Sequence, residues 1–127
     1  MNSIKDIWYK FCIFIVVRFA ICCLNHRVAP LINHTKEIIV VSKEQKNISL
    51  KEIEMTSCRA LDILKVLKDK KVKILICGGI KEEYSQLLEK NNIKIIKNVI
   101  DDIDNVVRMY LDGDIQSMDT KRIKIAK

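Results

Sequence analysis

Glycine and proline are nearly missing from this chain of 127 residues, which holds three of the first and one of the second. No internal repeat and no low-complexity segment interrupts it either, so nothing marks a linker between domains. With 49% hydrophobic and 31% charged residues, the composition suits one globular domain with its own core and excludes a disordered tail. Aromatics are scarce as well, at one Trp, three Tyr and three Phe, too few for the stacking platform of a single-strand binder. The formal charge is +7, but its Lys and Arg are scattered from Lys5 to Lys127 among acids. Only 68–73 (KDKKVK) and the tail are locally basic, and both read as solvated surface, so no nucleic-acid partner is expected.

The five cysteines, Cys12, Cys22, Cys23, Cys58 and Cys77, are odd in number and form no CxxC pair. That argues against a disulfide framework and a zinc knuckle, and a reducing, cytoplasmic compartment fits best. Long apolar runs are also lacking, apart from residues 11–24 (FCIFIVVRFAICCL). That run is shorter than the roughly 20 residues that span a bilayer and carries Arg18 near its centre, so no membrane span is expected. A signal peptide would need a small-residue cleavage site, and none follows.

What is present is a change of period along the chain. Residues 18–24 (RFAICCL) form an apolar, β-rich run that stops at the turn signal Asn25-His26. Residues 37–43 (EIIVVSK) and 48–54 (ISLKEIE) read as two more strands, joined by a short polar turn as an antiparallel hairpin. Thr56 and Ser57 can cap a helix whose apolar residues Ala60, Leu61, Ile63, Leu64 and Leu67 recur at helical spacing. A fourth strand spans 72–78 (VKILICG). The next helix begins with Glu82 and Glu83, suits the positive end of the helix dipole, and ends at Asn91-Asn92. After a fifth strand, 93–99, Asp101 and Asp102 can cap a last helix, in which Ile103, Val106, Val107, Tyr110 and Leu111 share a face and Gly113 is the stop. The order β-β-β-α-β-α-β-α predicts an α/β domain with an antiparallel start and parallel crossovers.

The Gly78-Gly79 turn lies where parallel sheets gather ligands, at the carboxyl end of a strand and ahead of a helix. As a motif it is weak: it has neither the third glycine of GxGxxG nor the Lys-Ser/Thr of a P-loop. On physical grounds a tight turn that lets helix and strand pack closely accounts for it.

Four stretches, 18–41 (RFAICCLNHRVAPLINHTKEIIVV), 64–80 (LKVLKDKKVKILICGGI), 87–96 (LLEKNNIKII) and 106–115 (VVRMYLDGDI), together resemble the dinitrogenase iron-molybdenum cofactor biosynthesis family, which includes nitrogenase accessory factors. The likeness covers 17–116 and leaves 1–16 as an N-terminal extension, an added helix or an upstream translation start, and 117–127 as a basic tail. It implies a ribonuclease H-like, three-layer α/β domain whose mixed sheet of five strands is flanked by helices. It also implies an iron-sulfur or iron-molybdenum cluster near the loop after the first strand, often held by the His of a Ser-x-His-Phe-Gly type segment. Here that segment is VAPLINHT; with Val28 laid on the leading valine, Leu31 takes the place of the His, and His34 follows three positions on.

Soft thiolates and imidazoles suit such clusters. The implied metal ligands are then drawn from Cys77, His34, His26, Cys23 and Cys22, with Gly78, Gly79 and Asn33 as cofactor-binding residues. The competing assignment puts the cysteines in the core and the histidines in solvent. No enzyme is expected: strand one carries no acid for a metal-dependent nuclease, capping explains Asp101, Asp102 and Asp104, and no Ser-His-Asp set can be assembled. Two functions remain. One is a non-enzymatic cluster carrier serving a cluster-assembly or acceptor protein. The other is an apo interaction module of the same fold that binds a protein or an anionic ligand.

Overall fold

The β-branched and aromatic run that opens the domain forms its central strand. In the computed structural model, which describes residues 16–113, β1 spans Val16–Leu24. Cys12, the expected extension short of the strand residue Val16, and the basic tail lie outside the described residues. After β1 come β2 (Arg27–Val28), a single 3-10 turn (Ile32–His34), β3 (Glu37–Glu44), β4 (Asn47–Glu54), α1 (Ala60–Asp69), β5 (Ile74–Ile76), α2 (Glu82–Lys90), β6 (Lys94–Ile96) and α3 (Ile103–Leu111).

The sheet runs β4-β3-β1-β5-β6, with β2 paired to β1. Its left half is antiparallel and its right half parallel: β1 pairs antiparallel with β3 and parallel with β5, in the register Ala20↔Leu75 and Ile21↔Ile76. The sheet therefore has six strands where five were expected. The extra one is β2, made when Asn25 and His26, at φ 55° and 65°, reverse the chain so that Val28 meets Cys23. The expected fourth and fifth strands are shorter than 72–78 and 93–99 because their ladder holds only Ile74↔Lys94, Leu75↔Ile95 and Ile76↔Ile96.

Alternation along β1 sends Ala20 and Cys22 to one face and Phe19, Ile21 and Cys23 to the other. On the first face Ile63, Leu64 and Leu67 of α1 and Tyr84 and Leu88 of α2 bury against Ile38, Val40 and Leu75. On the second, Ile103 and Val106 of α3 bury against Ile39, Val41 and Ile76, and the Tyr110 ring lies 4.2 Å from that of Phe19. Helices thus cover both faces of the sheet.

Two caps differ in detail from the sequence reading. Ser57 does not cap α1 directly; its hydroxyl donates to Asp62 Oδ2 (2.6 Å), and the same oxygen accepts the Arg59 backbone N–H (3.2 Å). At α3, Asp102 stands in the N-cap position but its carboxylate pairs with Arg27 (3.0 Å), while Asp101 Oδ1 accepts from the Asp102 N–H and from Asn105 Nδ2. Asn92 (φ 65°) ends α2 and Gly113 (φ 86°) ends α3 in the left-handed conformation. Among the described residues no helix is long and apolar enough to cross a membrane.

Candidate functional site

The segment between β2 and β3 lies directly against the Gly-Gly turn that follows β5. Gly79 N–H donates to Pro30 O (2.7 Å), and Ile32 N–H donates back to Gly79 O (2.8 Å). On the other side, Asn98 N–H donates to Gly78 O (3.0 Å). A Cβ on Gly78 would stand 2.3 Å from Ala29 O and 2.7 Å from Pro30 O, distances that backbone atoms do not tolerate. Gly78 is required by this close approach of two backbones, so the turn fastens the loop that carries the expected site. On the side where a Cβ would stand, Gly78 is filled by the backbone of Ala29 and Pro30.

The register that makes β1 and β5 neighbours also sets Cys22 beside Cys77, both fully buried in the core under α1 and α2. Burial pushes the Cys22 thiol up to about 12, with the Thr35 side chain partly opposing it. The Cys77 thiol is pushed well above its ordinary value, again chiefly by burial. Both are thus core thiols whose ionisation burial opposes, with helices between them and solvent. Cys23 points to the opposite face, and burial raises its thiol as well, against the pull of a hydrogen bond from the His26 backbone.

The two histidines are exposed and separate. His26 stands in the β1–β2 turn and lines a cleft of about 660 Å³ with Arg27, Glu52, Asp102 and Asp104. His34 ends the 3-10 turn and lines another, of about 320 Å³, with Asn33, Lys36, Met55, Ser57 and Cys58. Of the expected ligands, then, the fold brings together Cys22 and Cys77 in the core and leaves Cys23, His26 and His34 in three other places. Among the described residues no three His, Cys, Asp or Glu side chains come together as a metal site. The five expected donors as placed do not fit a shared cluster.

Cys58, by contrast, was not singled out by the sequence. It is half-buried, its Sγ donates to the Asn33 carbonyl (2.7 Å), and its own carbonyl accepts from Tyr84 Oη (2.8 Å), so α2 holds it in place. It shares the smaller cleft with His34, and Met55 adds a thioether there. Oδ1 of Asn33 is buried at the same place without a hydrogen-bond partner among the described residues. Lys36 supplies the positive charge at the rim.

Three solved structures have the same fold. The protein PH0822 shares 18% identity at a TM-score of 0.71, covering 84% of this chain and 99% of its own. The apo form of the orange protein from Desulfovibrio gigas shares 17% at 0.65, covering 81% and 92%. A candidate dinitrogenase from Methanocaldococcus jannaschii, solved by NMR, shares 20% at 0.68, covering 84% and 97%. At such identities the likeness is one of fold. No curated protein matches the sequence. Residues 15–113, which take in the described sheet and helices, match the dinitrogenase iron-molybdenum cofactor family, and the chain belongs to that family.

Proposed function

We propose that the chain is a non-enzymatic accessory protein that binds an iron-sulfur or iron-molybdenum cluster as cargo, at the cleft shared by His34 and Cys58. Family membership associates the chain with the iron-molybdenum cofactor in an accessory role. The observation that carries the finer reading is that an exposed imidazole and a half-buried thiol face one cleft on the loop after the first strands. These are the donor types that such clusters take. Lys36 beside them favours an anionic cargo.

Two protein donors leave most of a cluster's metal positions open. That suits cargo that must pass to a cluster-assembly or acceptor protein, because few bonds have to break on transfer. Asn33 and the Gly78-Gly79 contacts support the loop in this reading and touch no metal, while Cys22, Cys23 and Cys77 serve the core. The carboxylates at the start of α3 are engaged with Arg27 and Asn105, which supports a role without catalysis. The free thiols of the four described cysteines support a reducing, cytoplasmic setting, and the half-antiparallel, half-parallel sheet supports the ribonuclease H-like class.

One observation favours a second reading, an apo interaction module. Leu31, 44% exposed, stands where the resembling segment carries its His. The test is anaerobic reconstitution with iron and sulfide, or with isolated cofactor, followed by metal analysis and visible absorption. Stoichiometric loading, abolished in His34→Ala and Cys58→Ala but kept in Cys77→Ala, is the expected result. Equal loading in all variants sinks the assigned site. Metal-free protein under conditions that load a known carrier, with a protein partner retained in pull-downs, establishes the second reading instead.

A further inference from the structure

The outer edge of β4 is the longest unpaired strand edge among the described residues. Its eight residues are matched to β3 from Glu37↔Glu54 to Glu44↔Asn47 without a bulge, and none of the described elements pairs on the other side. The chain reverses at Gln45-Lys46, so the closing pair Glu44↔Asn47 is hydrogen-bonded and the pairs alternate from there. Asn47, Ser49, Lys51 and Ile53 thus spend their backbone groups on β3. Ile48, Leu50, Glu52 and Glu54 direct theirs outward.

Proteins normally blunt such an edge with proline, a bulge, a covering loop or charged side chains. Among the described residues β4 has only the last of these, Lys51, Glu52 and Glu54 in its second half, while its first half exposes apolar side chains: Ile48 is 48% exposed and Leu50 51%. Both lie on the face of Val41, their neighbours across the ladder being Lys43 and Val41.

We infer that β4 pairs antiparallel with β4 of a second copy of this chain, about a two-fold axis at Ser49, joining two sheets into one. The pattern is self-complementary in that register. Ile48 meets Leu50 of the second copy, in both directions, and these are the residues whose backbone groups point outward. On the opposite face Asn47 comes opposite Lys51 of the second copy, again twice over. Neighbouring registers fail. With Leu50 on the axis, Ile48 would face Glu52; with Ile48 on the axis, Leu50 would pass the end of the second strand onto its turn and lose its apolar partner. The apolar pair of Ile48 and Leu50 selects one arrangement, and the occupant that fits it is the strand itself.

This inference stands apart from the cleft of His34 and Cys58 and does not depend on cluster binding. It is tested by sedimentation velocity on the full chain over a wide concentration range. A concentration-dependent dimer is expected. Leu50→Glu or Ile48→Lys alone should weaken it about tenfold or more, a change of roughly 1.4 kcal/mol. The double variant I48K/L50E should recover the dimer, because the introduced ammonium and carboxylate then face each other. Circular dichroism shows that each variant is folded, which the exposure of both positions favours. A wild-type monomer at every concentration overturns the inference. So does a dimer that Leu50→Glu leaves intact, or one that the double variant fails to restore.

Discussion

Replacing Gly78 by alanine tests how the fold fastens its functional loop. The added Cβ would come 2.3 Å from Ala29 O and 2.7 Å from Pro30 O, both main-chain atoms that move only if the 29–32 segment moves. Overpacking of this kind costs roughly 1–3 kcal/mol. Shifting the segment also strains the bonds Gly79 N–H to Pro30 O and Ile32 N–H to Gly79 O, each worth about 1 kcal/mol net. Gly78→Ala is thus expected to lose about 3 kcal/mol. Gly79→Ala is the control, since its Cβ meets Leu31 Cδ2 at 2.9 Å and Pro30 O at 3.2 Å, and the half-exposed Leu31 side chain can swing away. About 1 kcal/mol is expected there. Neither glycine has a positive φ, so the contrast isolates packing from backbone conformation. Urea unfolding followed by circular dichroism, with the slope unchanged, measures both. A Gly78→Ala protein within 1 kcal/mol of wild type, or a costlier Gly79→Ala, would refute the reasoning.

Alkylation of the native protein with iodoacetamide at neutral pH, mapped by peptide mass spectrometry, should modify Cys58 first among Cys22, Cys23, Cys58 and Cys77. The other three are buried, with their thiols held protonated, and should react only in denaturant; Cys77 labelled as fast as Cys58 would contradict this. Acid should also weaken the start of α1. Hydrogen bonds from Ser57, and after them from Arg59, hold the Asp62 carboxyl at about 2, below its ordinary 3.8. A lowered folded value means the contribution is present above pH 3.8 and is lost as the pH falls through about 2. The stability gap between wild type and Asp62→Asn should therefore shrink across that window in a pH series of urea midpoints, and a constant gap would exclude the effect.

The change from alternating to helical period made the three helices and the hairpin readable, because each buries one continuous face. β2 was not readable: two residues hold no period, and its only trace was the Asn25-His26 turn ahead of it. The cysteines show a different limit. Adjacent strand residues point to opposite faces, so Cys22 and Cys23 could never both approach Cys77. With the expected strands one and four as neighbours, at most one of the two can. Which one depended on the parallel register Ala20↔Leu75, and parallel strands joined through a hairpin and a helix leave no local mark of their register.

Cys58 is the instructive omission, because the signal for it was present. A two-residue turn at Gln45-Lys46 fixes the hairpin register, so every pair of β3 and β4 has positions that sum to the same value, as in Glu44↔Asn47 and Glu37↔Glu54. The same rule carried one step past the strands sets Met55 opposite Lys36, and there Met55 N–H does donate to Lys36 O (2.9 Å). The residues just after β4 are thereby brought beside those just before β3. Cys58 reaches Asn33 and shares a cleft with His34 for that reason, although no motif connects them. A donor in the loop before one strand of a hairpin has its nearest candidate partner in the loop after the other. Searching by that rule, and not by spacing along the chain, finds the imidazole and the thiol together, at a cleft that an exposed His34 and a half-buried Cys58 share, beside a loop fastened by a glycine with no room for a side chain.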